Sequence, residues 1–147
     1  MRGIAIDLAE ELVLSAIVNL NNGNIDNVLA CFAEEFMFTD CGIGLEFTNK
    51  DLLSEFFSKT RELYPDSRWQ TTEIFLSDDT VITEWTLEFT LTEPFYGRLS
   101  RKVQVSIQGA SIVRVGNGKI INWVNYYDGL ASRRIALASY FKEWIEA

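Results

Sequence analysis

Histidine is absent from all 147 residues of the chain. Imidazole is the side chain that titrates near neutrality and a common metal ligand, so its absence excludes Ser-His and Cys-His nucleophile systems, histidine acid/base pairs and most transition-metal sites. Cysteine is scarce: Cys31 and Cys41 are too few for a disulfide framework. Cys31 falls within an apolar helical pattern, which marks it as a small core residue rather than a nucleophile. Basic charge is short as well, with 13 Lys and Arg against 21 Asp and Glu and a net charge of -8. That balance disfavours a nucleic acid or an anionic membrane as partner. No apolar run approaches the ~20 residues of a membrane span, and Met1-Arg2-Gly3-Ile4 lacks the hydrophobic core of a secretory signal. The expectation is a cytoplasmic protein.

What remains is globular: 48% hydrophobic and 13% aromatic residues with only two prolines, in a length suited to one domain spanning 1–147. Ala5, Leu8, Ala9, Leu12, Val13, Ala16, Ile17 and Leu20 form a helical stripe, with Asp7 and Glu10 in capping-box-like spacing near its start. Asn21-Asn22-Gly23-Asn24 breaks it, and Ile25, Val28, Leu29 and Phe32 predict a short second helix with Asn24 as N-cap. The apolar run Phe36-Met37-Phe38-Thr39 reads as a strand closed by Asp40. Past Gly42-Ile43-Gly44, Thr48 is the expected cap of a third helix carrying Leu52, Leu53, Phe56, Phe57 and Leu63, stopped by Pro65.

From Trp69 the period changes to two. Segments Trp69 to Leu76, Thr80 to Thr92, Arg101 to Val115 and Lys119 to Asp128 predict an antiparallel meander. Their connections are Ser77-Asp78-Asp79, a Pro94-Phe95-Tyr96-Gly97 loop and the hairpin signal Gly116-Asn117-Gly118. Val81, Thr83, Trp85, Leu87, Phe89 and Leu91 share one face of the second segment; Val103, Val105, Ile107, Gly109, Ser111, Val113 and Val115 share one face of the third. A last helix, Ala131 to Glu146, carries Ile135, Ala138, Phe141 and Ile145. Helices first and a long curved sheet afterwards predict an α+β cone with helices packed on the concave face.

A polar group on a face that should be dry is the informative observation, and Asp40, Thr83, Ser111 and Asn125 qualify. Strand alternation puts Asp40 on the inward face with Phe36 and Phe38. Desolvation there raises an acid's pKa and suits it to proton transfer, whereas the alternative role is to brace the adjacent glycine loop. Thr83 and Ser111 have a structural reading, satisfaction on nearby backbone. Trp85 and Trp123 either line a cavity or plug it; Trp69 and Trp144 point to no function.

The stretch from Leu20-Asn21-Asn22-Gly23-Asn24 to Phe36-Met37-Phe38-Thr39-Asp40, the Glu84-Trp85 strand and the ending Gly118 to Asp128 resemble the NTF2-like superfamily, especially its SnoaL-like, polyketide cyclase-like branch. The resemblance covers nearly the whole chain and implies the cone-shaped fold, with a curved antiparallel sheet and a homodimer; the C-terminal helix is extra to it. Fold alone does not give activity, because the superfamily includes cyclases, isomerases, hydrolases, dehydratases and inert binding modules. The general-base aspartate of its ketosteroid isomerases corresponds to Asp40. Their acidic oxyanion pair corresponds to Ala16 and Ser111, so both donors are missing, and losing one such donor typically costs ~10²–10³ in rate. The Asp-Arg-Asp set of epoxide hydrolase-like members corresponds to Leu87, Trp85 and Asn125 and is missing too, as are the histidines of scytalone dehydratase-like members.

Two readings stand side by side. In the first, Asp40 is the acid/base of a cofactor-independent isomerase, cyclase or lyase, with no metal and no cofactor. Its small hydrophobic or aromatic substrate would be bound among Phe38, Phe56, Trp85, Ser111, Trp123, Asn125 and Tyr127. Asp40 removes an activated carbon-bound proton while Asn125 and Tyr127 donate to the enolate oxygen. In the second, the chain is a non-catalytic ligand-binding or dimeric module in which Asp40 and Asn125 bond each other or a metabolite. A third, an adaptor like nuclear transport factor 2, has no partner motif behind it.

Overall fold

The computed structural model describes residues 2–93, 101–135 and 137–138. Helix α1 (Arg2–Asn22) buries Ala9, Val13, Ala16 and Ile17 on one stripe. It begins at Arg2, so Asp7 and Glu10 lie inside the helix and not at a capping box. Gly23, at φ 76°, turns the chain out of the helix, and the Asn24 N–H donates back to the Asn19 carbonyl at 2.9 Å. Asn24 then stands at the N-cap of α2 (Ile25–Ala30), yet its side chain makes no capping bond. Phe32, expected on that helix, instead opens strand β1 (Phe32–Asp40). Cys31 lies buried between the two, its Sγ donating to the Asn27 carbonyl, and burial pushes its thiol pKa up.

After a turn, β2 (Leu45–Phe47) pairs back on β1, a strand too short to register as a pattern. Helix α3 (Lys50–Leu63) is capped by Asn49, one residue later than expected, whose side chain accepts from the Leu52 N–H at 3.0 Å. Of its stripe, Leu53 and Phe57 are buried, Phe56 is half-buried, and Leu52 and Leu63 face solvent. Full burial of side chains such as Leu53 is worth about 1.5–3 kcal/mol each.

The meander follows as β3 (Arg68–Ser77), β4 (Thr80–Glu93), β5 (Arg101–Gly116) and β6 (Lys119–Tyr127), each antiparallel to the next. Asn117 and Gly118 both have positive φ, 51° and 75°, as a type I′ turn between Gly116 and Lys119 requires. The sheet order is β2-β1-β6-β5-β4-β3, and β1 runs parallel to β6. The sheet is therefore mixed where a wholly antiparallel one was expected. The reason is connectivity: the chain returns to β1 only after α3 and the meander, a long crossover that permits parallel pairing. Residues 131–135 and 137–138 are helical. The expected Pro94 to Gly97 loop and the end of the last helix, 139–146, lie outside the described residues.

One apolar cluster joins α1, α2 and α3 to Phe32, Phe36, Phe38, Val113, Ile120 and Trp123 of the sheet. A second, around Phe89, Val105 and Ile107, is met by Tyr64, Tyr127 and Ile135. Among the described residues no helix is long and apolar enough to cross a membrane.

Candidate functional site

Four polar side chains are buried on the inner face: Asp40, Thr83, Ser111 and Asn125. Three of them line a cavity of about 440 Å³ between helices and sheet, together with Phe38, Phe56 and Tyr127. Trp85 and Trp123 belong to its wall and leave the space open. Every residue singled out as substrate-binding in the sequence is thus brought to one concavity. Thr83 is the exception among the buried polar groups: it does not line the cavity, and its hydroxyl finds no partner among the described residues.

Register assembles the site. β1 and β6 set Asp40 beside Asn125, and β5 sets Ser111 on the other side of Asn125. Asp40 Oδ1 accepts from the Ile43 N–H at 3.1 Å, and its carbonyl accepts from Gly44 N–H at 2.9 Å, so the carboxylate both braces the glycine loop and borders the cavity. Tyr127 lies beside that carboxylate. Its phenol pKa is pushed far up, first by burial and then by its interaction with Asp40, so the ring carries its proton throughout the physiological range. The phenol end of the ring lies against Gly42, where a Cβ would come 2.1 Å from Tyr127 Cζ.

Ser111 does not turn to backbone as expected. Trp85 Nε1 donates to Ser111 Oγ at 2.8 Å, Ser111 Oγ donates to Asn125 Oδ1 at 2.5 Å, and Trp123 Nε1 donates to the same oxygen at 2.7 Å. An indole nitrogen can only donate, so the amide atom it meets must be the oxygen. Asn125 Oδ1 is therefore doubly occupied, and the Asn125 amide nitrogen is left without an acceptor among the described residues. That nitrogen is a donor open to the cavity, which the Asp40 carboxylate also lines. The Asn125 and Asp40 side chains do not bond each other, so of the two arms of the non-catalytic reading only the bound metabolite remains.

Several wall residues escaped the sequence. Trp69 packs edge-on against Trp85 with ring centroids 4.2 Å apart and lines the cavity. It is held there by Asn21, whose side chain accepts from Trp69 N and donates to Trp69 O, both at 2.8 Å. Asn21 reads in sequence only as a helix breaker. Arg61, also at the wall, donates from Nη1 to the Leu20 and Asn21 carbonyls at the end of α1. No local pattern announces pairings across such distances.

The family model described as SnoaL-like domain matches residues 15–123. This span contains Asp40, Trp85, Ser111 and Trp123 and stops short of Asn125 and Tyr127. No curated protein matches the chain in sequence. Among solved structures, a protein described as a SnoaL-like polyketide cyclase from Shewanella putrefaciens superposes with TM-score 0.75 at 11% identity, covering 88% of this chain and 86% of that one. A protein with a ketosteroid isomerase-like fold from Catenulispora acidiphila, in complex with trimethylamine, gives 0.72 at 16% identity, over 82% and 88%. TerC, co-crystallised with polyporic acid, gives 0.72 at 14% identity, over 87% and 97%. At these identities the likeness is one of fold.

Proposed function

Since the chain belongs to the SnoaL-like domain family, within the NTF2-like superfamily, we propose that its cone binds a flat, mostly apolar carbonyl compound and that Asp40 moves a proton on it. The observation that carries this reading is that one apolar cavity is lined both by the Asp40 carboxylate and by Asn125, whose amide nitrogen has no acceptor among the described residues. Aromatic walls of Phe38, Phe56, Trp69, Trp85 and Trp123 suit a planar ring system, such as the polyporic acid bound by TerC.

In this mechanism Asp40 takes the proton from the carbon next to the substrate carbonyl. The electron pair moves onto the carbonyl oxygen, where the Asn125 N–H stabilises the enolate. Protonated Asp40 then returns the proton, either to another carbon of the enolate, which gives isomerisation, or to the alkoxide formed when the enolate carbon attacks a second carbonyl, which gives cyclisation. A positioned base of this kind contributes typically about 10²–10⁴-fold. Tyr127, neutral and beside the carboxylate, holds Asp40 in place.

The Asp40–Ile43 hydrogen bond favours a second reading, a binding module in which Asp40 is only a brace. 2-Tetralone in D₂O separates the two. Its binding quenches the tryptophan emission of the cavity wall, and exchange of its α-protons, followed by NMR, reports the base. Asp40→Asn keeps an oxygen for the Ile43 N–H, so fold and binding are retained while exchange falls at least about 100-fold. Exchange at the parent rate in Asp40→Asn excludes the acid/base role. Binding to the parent protein without accelerated exchange establishes the module.

A further inference from the structure

We propose that Gly109 is a specificity-determining position: by leaving room for the Trp85 indole it sets how large a ring system the cavity admits. This rests on the ligand-binding reading above. Gly109 lies on β5 directly opposite Trp85 of β4 and Tyr127 of β6. A Cβ built on it would meet Trp85 Cη2 at 2.4 Å and Cζ2 at 2.6 Å, and the Tyr126 carbonyl oxygen at 2.8 Å. The far edge of the indole therefore lies directly on the glycine. In that seat Trp85 Nε1 reaches Ser111 Oγ at 2.8 Å and starts the hydrogen-bond series that ends at Asn125.

An indole lifted from this seat is met by aromatic rings on two sides. Trp69 closes one side at 4.2 Å between centroids and Tyr127 stands on another at 5.8 Å. The open side is the cavity that Trp85 lines. Any side chain at 109 thus drives the ring into ligand space and draws Nε1 off Ser111. The choice of glycine at this one strand position fixes the position of the wall beside Ser111.

The test compares a naphthalene-sized probe, 2-naphthol, with an anthracene-sized one, anthrone, by tryptophan quenching. In Gly109→Ala the expected result is 2-naphthol binding within about threefold of the parent and anthrone binding weaker by at least about tenfold. The double variant Gly109→Ala/Trp85→Val, which removes the displaced ring, regains anthrone binding. Equal losses for both probes, or no recovery in the double variant, overturn the inference, because general damage to the sheet would act on both sizes alike. A crystal structure of Gly109→Ala with Trp85 still bonded to Ser111 overturns it too and leaves the ligand-binding reading standing. A parent protein that binds neither probe overturns the ligand-binding reading and this inference with it.

Discussion

Two tryptophans settle the direction of every hydrogen bond around Asn125, because an indole has a proton to give and no lone pair to offer. The alternation of β5 and β6 was enough to find Ser111 and Asn125 as polar groups on a dry face. Their partners were not legible, since which indole meets which hydroxyl depends on the register between strands. Tyr127 carries a consequence in pH. Its folded pKa lies above the ordinary 10.0 because burial and the Asp40 carboxylate disfavour the phenolate. Below that value both folded and unfolded chains hold the proton and stability does not respond to it. Above it the unfolded phenol ionises first, so stability is lost as pH rises. Thermal melts between pH 9 and 11 should show a steeper fall for the parent than for Tyr127→Phe; parallel curves would place the phenol in an ordinary environment.

At the scale of elements, helices and meander were readable because their periods of 3.6 and 2 run over many residues. The ends were less so. Thr48 and Asn49 are both competent caps, and only the side-chain bond from Asn49 to the Leu52 N–H decides between them. Asn49→Ala is therefore expected to cost about 0.5–2 kcal/mol by denaturant unfolding, with Thr48→Ala near neutral; the reverse order would move the cap back one residue. The short β2 and the parallel β1–β6 pair have no local signature, because neither strand length nor side-chain alternation specifies the neighbour. Asp66 shows the same point from the other side. Just beyond α3, it accepts from Thr90 N at 3.1 Å and Thr90 Oγ1 at 2.5 Å, tying the helix exit to β4. Those bonds hold its carboxyl below the usual range. Their contribution is present above the ordinary value of 3.8 and is lost as pH falls through the lower folded value. Asp66→Asn should accordingly flatten the acid limb of the stability profile.

For the molecule as a whole, the cavity is space that the helices and sheet leave unfilled, and a ligand entering it stabilises only the folded chain. Thermal denaturation with rising 2-tetralone should show a melting temperature that climbs with the logarithm of concentration, the gain reaching about 2.7 kcal/mol at a hundredfold excess over Kd. A melting temperature independent of concentration would mean that the cavity does not take the ketone. The overall cone was legible through the resemblance, whereas the size of the cavity depends on how far Trp85 and Trp123 stand back from its centre. The parallel pairing of β1 with β6 also has a history written into it. Asp40 and Asn125 stand far apart along the chain, on β1 and β6, and they are register partners. Loop closure between them is among the slowest steps open to such a topology, since long-range pairing demands ordering before it returns contacts. During synthesis the Asp40 carboxylate therefore waits without its amide neighbour until β6 has emerged, and the site comes into being only when that strand docks on β1.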